Sequence, residues 1–249
     1  DELREIFADP GFRDAFRQTL ASNDSQHIFK GRWDWVPITI TGLEKNKALE
    51  GRNVAEVAAE RGVDPFDLFL DLGLEEDFAT KYTFFLLNME EDGVAPLLVN
   101  DGTLISLSDA GAHNSLLCDA GYAMHLFGHW ARDKGLFDLP TAIRKVTSDP
   151  ADAYGILDRG QLTPGAWADM ILFDPAIIGI TKMERHFDLP AGGERLLRRA
   201  PGLKGTWVNG VQVFDGEDYL DVDAPGEVLT KFAAGLPSLG MGAHRAAAE

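Results

Sequence analysis

A carboxylate and an imidazole stand four residues apart in the segment TLISLSDAGAH, residues 103–113. The first six residues are typical of a buried strand, and Asp109 and His113 follow where that strand would end. A carboxylate in such a place can bind a metal, accept a proton from an attacking water, or bind a cationic substrate group. Asp-Ala-Gly is also favourable turn chemistry, so a turn-capping role for Asp109 fits the sequence equally well.

The pair is not a complete metal site. Catalytic zinc usually takes three protein ligands and a water, and Asp109 and His113 supply at most two. His113 has two possible interpretations. It could contact the substrate or donate a hydrogen bond to a residue that binds the metal, or it could be an ordinary loop histidine.

Two further histidines lie at helical spacing. His125 and His129 are four residues apart, as two zinc ligands on one helix would be, but Leu126 stands where the zincin pattern has glutamate. Their apolar neighbours favour packing over metal binding. Cys118, the sole cysteine, has no activating neighbour in the sequence and is interpreted as a small packed residue.

Composition excludes several classes of function. The chain of 249 residues has a formal net charge of −17, which disfavours nucleic acids and anionic membrane surfaces as partners. A single cysteine permits no disulfide within the chain. The sequence contains neither a run of apolar residues long enough to span a membrane nor a signal peptide, so a cytoplasmic location is expected.

The helices and strands that must position Asp109 are predicted to form an α/β fold. Short apolar runs, YTFFLLN from Tyr82 and TLISLS from Thr103, alternate with helices, a rhythm that favours parallel strands covered on both faces. Asn53 and Asp64-Pro65 are start signals for two earlier helices. After Gly155 the chain becomes β-rich, and Asn209-Gly210 predicts a tight hairpin.

Several segments together resemble the C-terminal part of the amidohydrolase superfamily, in its N-acyl-D-amino-acid deacylase (D-aminoacylase) branch. They are LEGRNVAEVAAERGVDPFDLFLD, SLSDAGAH, TAIRKVTSDPADAYGILDRGQLTPGAWADMILFDP and TWVNGVQVF. The resemblance covers roughly residues 45–215 and keeps the order of the pieces. SDAGAH is the piece most specific for the branch.

The resemblance implies part of a metal-dependent TIM barrel with part of a small flanking β-sandwich. Residues 1–155 would be the C-terminal part of the (β/α)8 barrel, with a lid-like insertion at about residues 31–77. Residues 156–235 would belong to the sandwich, and residues 236–249 would be a flexible tail.

The resemblance also implies a zinc-dependent amidohydrolase with one or two Zn²⁺ ions. Asp109 matches the aspartate that binds the catalytic metal and acts as general base, and His113 and Tyr122 become candidate substrate contacts. The family's other metal ligands precede the region that this sequence covers, and no His-x-His pair is present. The chain alone is therefore expected to be incomplete, with the N-terminal part of the barrel or a second copy as its partner.

The substrate class stays open. Many deacylases of this branch have a His-Pro-Arg run after the aspartate, whereas this chain reads NSLLCDAGYAMH, without proline or arginine. The expected substrate is an N-acyl-D-amino acid, with a cyclic or other small-molecule amide as the alternative. A non-catalytic α/β binding module, in which Asp109 caps a turn, is the alternative from another class.

Overall fold

The computed structural model describes residues 2–22, 33–40, 44–85, 88–105 and 108–233. The chain divides into two compact units, Asp1–Glu90 and Glu91–Glu249. None of the described helices is both long enough and apolar enough to cross a membrane.

The first unit is mainly helical. Its elements are α1 (Glu2–Ala8), α2 (Pro10–Ala21), β1 (Ile38–Ile40), α3 (Val54–Arg61), α4 (Pro65–Glu75) and β2 (Lys81–Tyr82), with 3₁₀ turns at Trp33–Trp35 and Glu44–Leu49. Asn53 caps α3 by accepting from the Glu56 N–H at 2.7 Å, and Asp64 caps α4 with Pro65 in its first turn. Both predicted helix starts are therefore confirmed.

The core of the first unit lies between α3, α4 and the short β1–β2 pair. Ile38, Val54, Leu68 and Leu72 are fully buried there. Arg13 of α2 donates to Asp67 at 3.0 Å and to Asp71 at 2.6 Å, which fixes α2 against α4 by charge-assisted hydrogen bonds.

The second unit combines helices with two antiparallel sheets. Its elements are α5 (Glu91–Val99), α6 (Tyr122–His125), a π-helix (Leu126–Asp133), α7 (Leu139–Val146), α8 (Ser148–Tyr154), β3 (Met170–Phe173), β4 (Glu184–Leu189), β5 (Gly193–Leu197), β6 (Leu203–Val208) and β7 (Val211–Phe214). The core forms where the π-helix meets α7 and Ile178, with Phe127 stacked on Phe173 at 5.4 Å.

The late strands agree with the sequence prediction. β3, β6 and β7 form one sheet, and β4 pairs with β5 in a second. Asn209 and Gly210 both have positive φ, 49° and 83°, at the turn between β6 and β7. The predicted hairpin at Asn209-Gly210 is confirmed.

The predicted parallel strands are not present in the described residues. Among the described residues of YTFFLLN only Tyr82 lies in a strand, and β2 pairs antiparallel with β1. Thr103–Ile105 and Ser108 are in no strand, while residues 86–87 and 106–107 lie outside the described residues. A strand needs a neighbour to pair its backbone groups, and no described residue pairs with Thr103–Ile105. The described fold is mixed α/β, and it contains no closed barrel.

Candidate functional site

Asp109 lies in an exposed turn of a long loop, residues 108–121, between α5 and α6. Its carboxylate has no hydrogen-bond or ion-pair partner among the described residues. The turn is closed instead by the Asp109 carbonyl oxygen, which accepts from Ala112 N–H at 3.1 Å, and by the Ser108 hydroxyl, which accepts from Ala110 N–H at 3.3 Å. The Asp109 side chain is therefore not used as a turn cap and is open to a ligand.

His113 and Tyr122 lie on the same loop and on the helix that follows it. His113 is exposed with a φ of 48°, and its carbonyl oxygen accepts from Leu116 N–H at 2.7 Å and Leu117 N–H at 3.1 Å. Tyr122 begins α6 and is exposed, directly after Gly121, whose φ is 90°. The structure places all three candidate residues on one continuous segment, without a hydrogen bond that joins their side chains.

The loop is fixed from outside by the β4–β5 hairpin and the residues that follow it. Leu196 N–H donates to the Asn114 carbonyl oxygen at 2.7 Å, and Arg185 donates to that of Ser115 at 3.1 Å. Arg198 donates through Nε to the Cys118 carbonyl oxygen at 2.9 Å. Cys118 itself is half-buried. Sequence reasoning did not find these two arginines, because nothing in RHFDLP or RLLRRA points to residues 70 to 80 positions earlier.

His125 and His129 lie in a polar cluster with Glu91. Their rings stack with centroids 4.7 Å apart, and His129 Nε2 lies 2.6 Å from Glu91 Oε1. Glu91 also pairs with Lys134, and the Lys134 ammonium and the His129 ring keep the pKa of Glu91 below its ordinary value. Burial, with His129 and Arg198 nearby, lowers the pKa of His125. The apolar neighbours in the sequence predict apolar packing, but the structure pairs His129 with a carboxylate and stacks His125 on the His129 ring.

Few potential metal donors lie together in the described part of the chain. The described residues contain no group of three or more His, Cys, Asp or Glu side chains that could hold a metal ion. Asp109 provides one free carboxylate, an oxygen donor that zinc accepts. The described residues thus supply one candidate ligand for a metal site, Asp109, and not a complete set of ligands.

A separate concave surface of about 380 Å³ lies beside residues 152–166. Its wall includes Arg159, which is already bound to Asp169 and to Asn209 Oδ1 and lies over the Trp167 ring. None of the three candidate residues lines it.

Comparison with known proteins shows the family to which this chain belongs. A family model described as "Amidohydrolase family" matches residues 12–214, and the chain belongs to this family. The resemblance found in the sequence is confirmed.

Two curated relatives have names that state an activity on N-acyl-D-amino acids or D-aminoacyl compounds. The chain is 34% identical over 197 residues to the D-aminoacylase of Alcaligenes xylosoxydans xylosoxydans, covering 78% of this chain and 37% of that protein. It is 40% identical over 98 residues to the N-acyl-D-aspartate deacylase of the same organism, covering 39% of this chain and 18% of that protein.

Solved structures give partial matches. N-acyl-D-glutamate deacylase from Bordetella bronchiseptica, complexed with zinc and a phosphonate inhibitor, matches at 27% identity with a TM-score of 0.44. That match covers 74% of this chain and 36% of that one. A D-aminoacylase structure whose subject is a binuclear metal centre matches at 26% identity and a TM-score of 0.41, covering 75% and 36% of the two chains. This chain spans little more than a third of the first relative's length.

Proposed function

We propose that this chain is part of a zinc-dependent amidohydrolase that cleaves non-peptide C–N bonds, with N-acyl-D-amino acids as its substrates. The products would be a carboxylate and a free D-amino acid. The observation that carries the proposal is the exposed Asp109 carboxylate, which has no partner among the described residues, in the SDAGAH loop of a chain that belongs to the amidohydrolase family. The names of the relatives support the substrate class.

Asp109 has two tasks in the proposed reaction. One carboxylate oxygen would help to hold the metal, and the other would accept a proton from the attacking water and pass it to the leaving nitrogen. Zinc, when bound, lowers the pKa of water toward about 7 and polarises the amide carbonyl. Such a carboxylate suits both tasks, because no arginine or backbone N–H in the described part of the chain holds either oxygen.

The remaining ligands and the rest of a TIM barrel are proposed to come from polypeptide outside this sequence, or from a second copy. Exposed apolar side chains support the need for a covering partner. Leu97 of α5 and Leu172 of β3 are each 56% exposed, and Leu162 is 78% exposed. A contiguous patch of such side chains would mark an interaction surface, and the proposed partner would cover it. The proposed partner ligand is a small-molecule amide, and the proposed location is the cytoplasm.

A cyclic or other small-molecule amide is the second candidate substrate. The observation in its favour is the segment Asn114–His125, which lacks the proline and arginine expected beside the aspartate in the deacylase branch. Without an arginine there, a free substrate carboxylate loses a charged partner.

A substrate panel tests the proposal. The complete natural polypeptide, loaded with zinc, is offered N-acetyl-D-amino acids, their L enantiomers, and five- and six-membered cyclic imides. Release of free amine from the D series supports deacylation, and ring opening supports the second candidate. Asp109→Asn should abolish turnover, whereas Asp119→Asn, a change in an exposed carboxylate of the same loop, should not. If no compound is turned over, the result favours the interpretation of the chain as a non-catalytic α/β binding module.

A further inference from the structure

The loop that carries Asp109 has little internal structure to fix it. Between Ser108 and Gly121 its internal hydrogen bonds are the turn contacts at Asp109 and His113. Three of its carbonyl oxygens, those of Asn114, Ser115 and Cys118, accept from residues 185–198. The position of the loop is therefore set by one backbone N–H and two arginine side chains that are far away in the sequence.

Arg185 makes one of these contacts from an almost buried position. Its side chain is 10% exposed, and it pairs with Glu194 across the β4–β5 hairpin at 3.1 Å. A guanidinium held in this way has few alternative rotamers, so its hydrogen bond to the Ser115 carbonyl oxygen has a fixed direction. Arg185 is also the register partner of Leu196, whose N–H donates to Asn114. The paired residues thus hold two consecutive carbonyls of the loop.

Arg198 fixes the later part of the loop. Its Nε donates to the Cys118 carbonyl oxygen at 2.9 Å, and a second nitrogen donates to the Thr181 carbonyl oxygen at 3.0 Å. The loop ends at Gly121, and a Cβ built there would come 2.8 Å from Ile180. Arg198 and Gly121 therefore join the end of the loop to the segment at residues 180–181.

We propose that Arg185 and Arg198 are positioning residues that hold the 108–121 loop so that Asp109 lies correctly for catalysis. The inference rests on the proposed function, because it gives these arginines their role through Asp109. Neither side chain is assigned a contact to substrate or metal. The β4–β5 hairpin then becomes a working part of the site rather than a peripheral sheet.

Hydrogen exchange tests, without reference to activity, whether Arg185 and Arg198 hold the 108–121 loop in place. Arg185→Met and Arg198→Met in the complete natural polypeptide should increase the exchange rate of the Leu116 and Leu117 amides roughly tenfold. Arg195→Met is the matched control, because Arg195 lies on β5 but pairs with Asp188 at 2.7 Å instead of the loop. Unchanged exchange in both folded variants would overturn the proposal. Circular dichroism and the Arg→Lys variants guard against simple misfolding.

Kinetics then test the catalytic consequence. A misplaced Asp109 should lower kcat roughly 10- to 100-fold with little change in KM. Arg185→Lys and Arg198→Lys should recover part of the loss, because lysine keeps one charged donor, and Arg195→Met should match the natural protein. A normal kcat despite faster loop exchange would overturn the positioning role. If the natural protein hydrolyses no amide, the proposed function fails. The exchange result alone then decides whether Arg185 and Arg198 hold the loop.

Discussion

Gly128 lies directly against the carbonyl oxygen of Ile178. A Cβ on Gly128 would clash with that oxygen and would stand 3.1 Å from Gly179 Cα. The same oxygen accepts a hydrogen bond from Arg132 at 2.6 Å. The π-helix is therefore packed against the segment after β3 through a glycine that leaves no room for a side chain.

Gly128→Ala should destabilise the protein by about 2 kcal/mol, because overpacking forces the backbone at Ile178 to move. Gly93→Ala is the control, since a Cβ at Gly93 in α5 would have no heavy atom within 4 Å. That change should be neutral or stabilise by up to about 1 kcal/mol, as alanine favours a helix over glycine. Urea unfolding of both variants measures the difference, and equal midpoints would contradict this account of Gly128.

Stability should fall as pH drops below about 6.5, through His125. Burial, with His129 and Arg198 nearby, lowers the pKa of His125 from its ordinary value of 6.5, while Glu91 acts in the opposite direction. Between the folded pKa and 6.5 the unfolded chain binds more protons than the folded one, so the free energy of unfolding rises with pH in that window.

Melting temperatures from pH 7.5 to 5.5 check this dependence, and His125→Gln should flatten it. The pKa of Glu91 is also lowered, so its contribution is lost only as pH falls below about 4.5 toward the lowered folded value. If the melting temperature of His125→Gln still falls between pH 6.5 and 5.5, groups other than His125 cause the pH dependence.

Asn53→Ala should cost about 1 kcal/mol, because the Glu56 N–H at the start of α3 would lose its acceptor. Asn53→Asp keeps an oxygen at the same position and should retain most of that stability. Chemical unfolding monitored by helical circular dichroism compares the two. Equal losses in both variants would mean that the cap oxygen is not what stabilises the helix start.

Local signals predicted the helices and the hairpin well, and long-range pairing was not predictable. The caps at Asn53 and Asp64 and the turn at Asn209-Gly210 act through hydrogen bonds or backbone angles within a few residues, so the sequence carries them directly. A strand depends on a distant partner. Thr103–Ile105 are apolar enough for a strand, yet no described residue pairs with them.

The candidate site also contains residues that the sequence predicts and residues that only the structure reveals. Asp109 stands out by residue type and by its motif, whereas Arg185 and Arg198 matter only because the fold brings them to carbonyls 70 and 80 residues earlier. Arginines on a β-hairpin are common surface residues, and no local pattern separates these two from Arg195 or Arg199. Three-dimensional contact is the only information that does so.

The zinc content of the complete natural polypeptide and its variants tests the central claim most directly. Natural protein, Asp109→Asn and Asp119→Asn are dialysed together against the same zinc buffer and measured by plasma emission. We predict bound zinc in the natural protein and in Asp119→Asn, and at least a tenfold weaker affinity in Asp109→Asn. Equal zinc in all three proteins, or none in any, would contradict the assignment of Asp109 as a metal ligand.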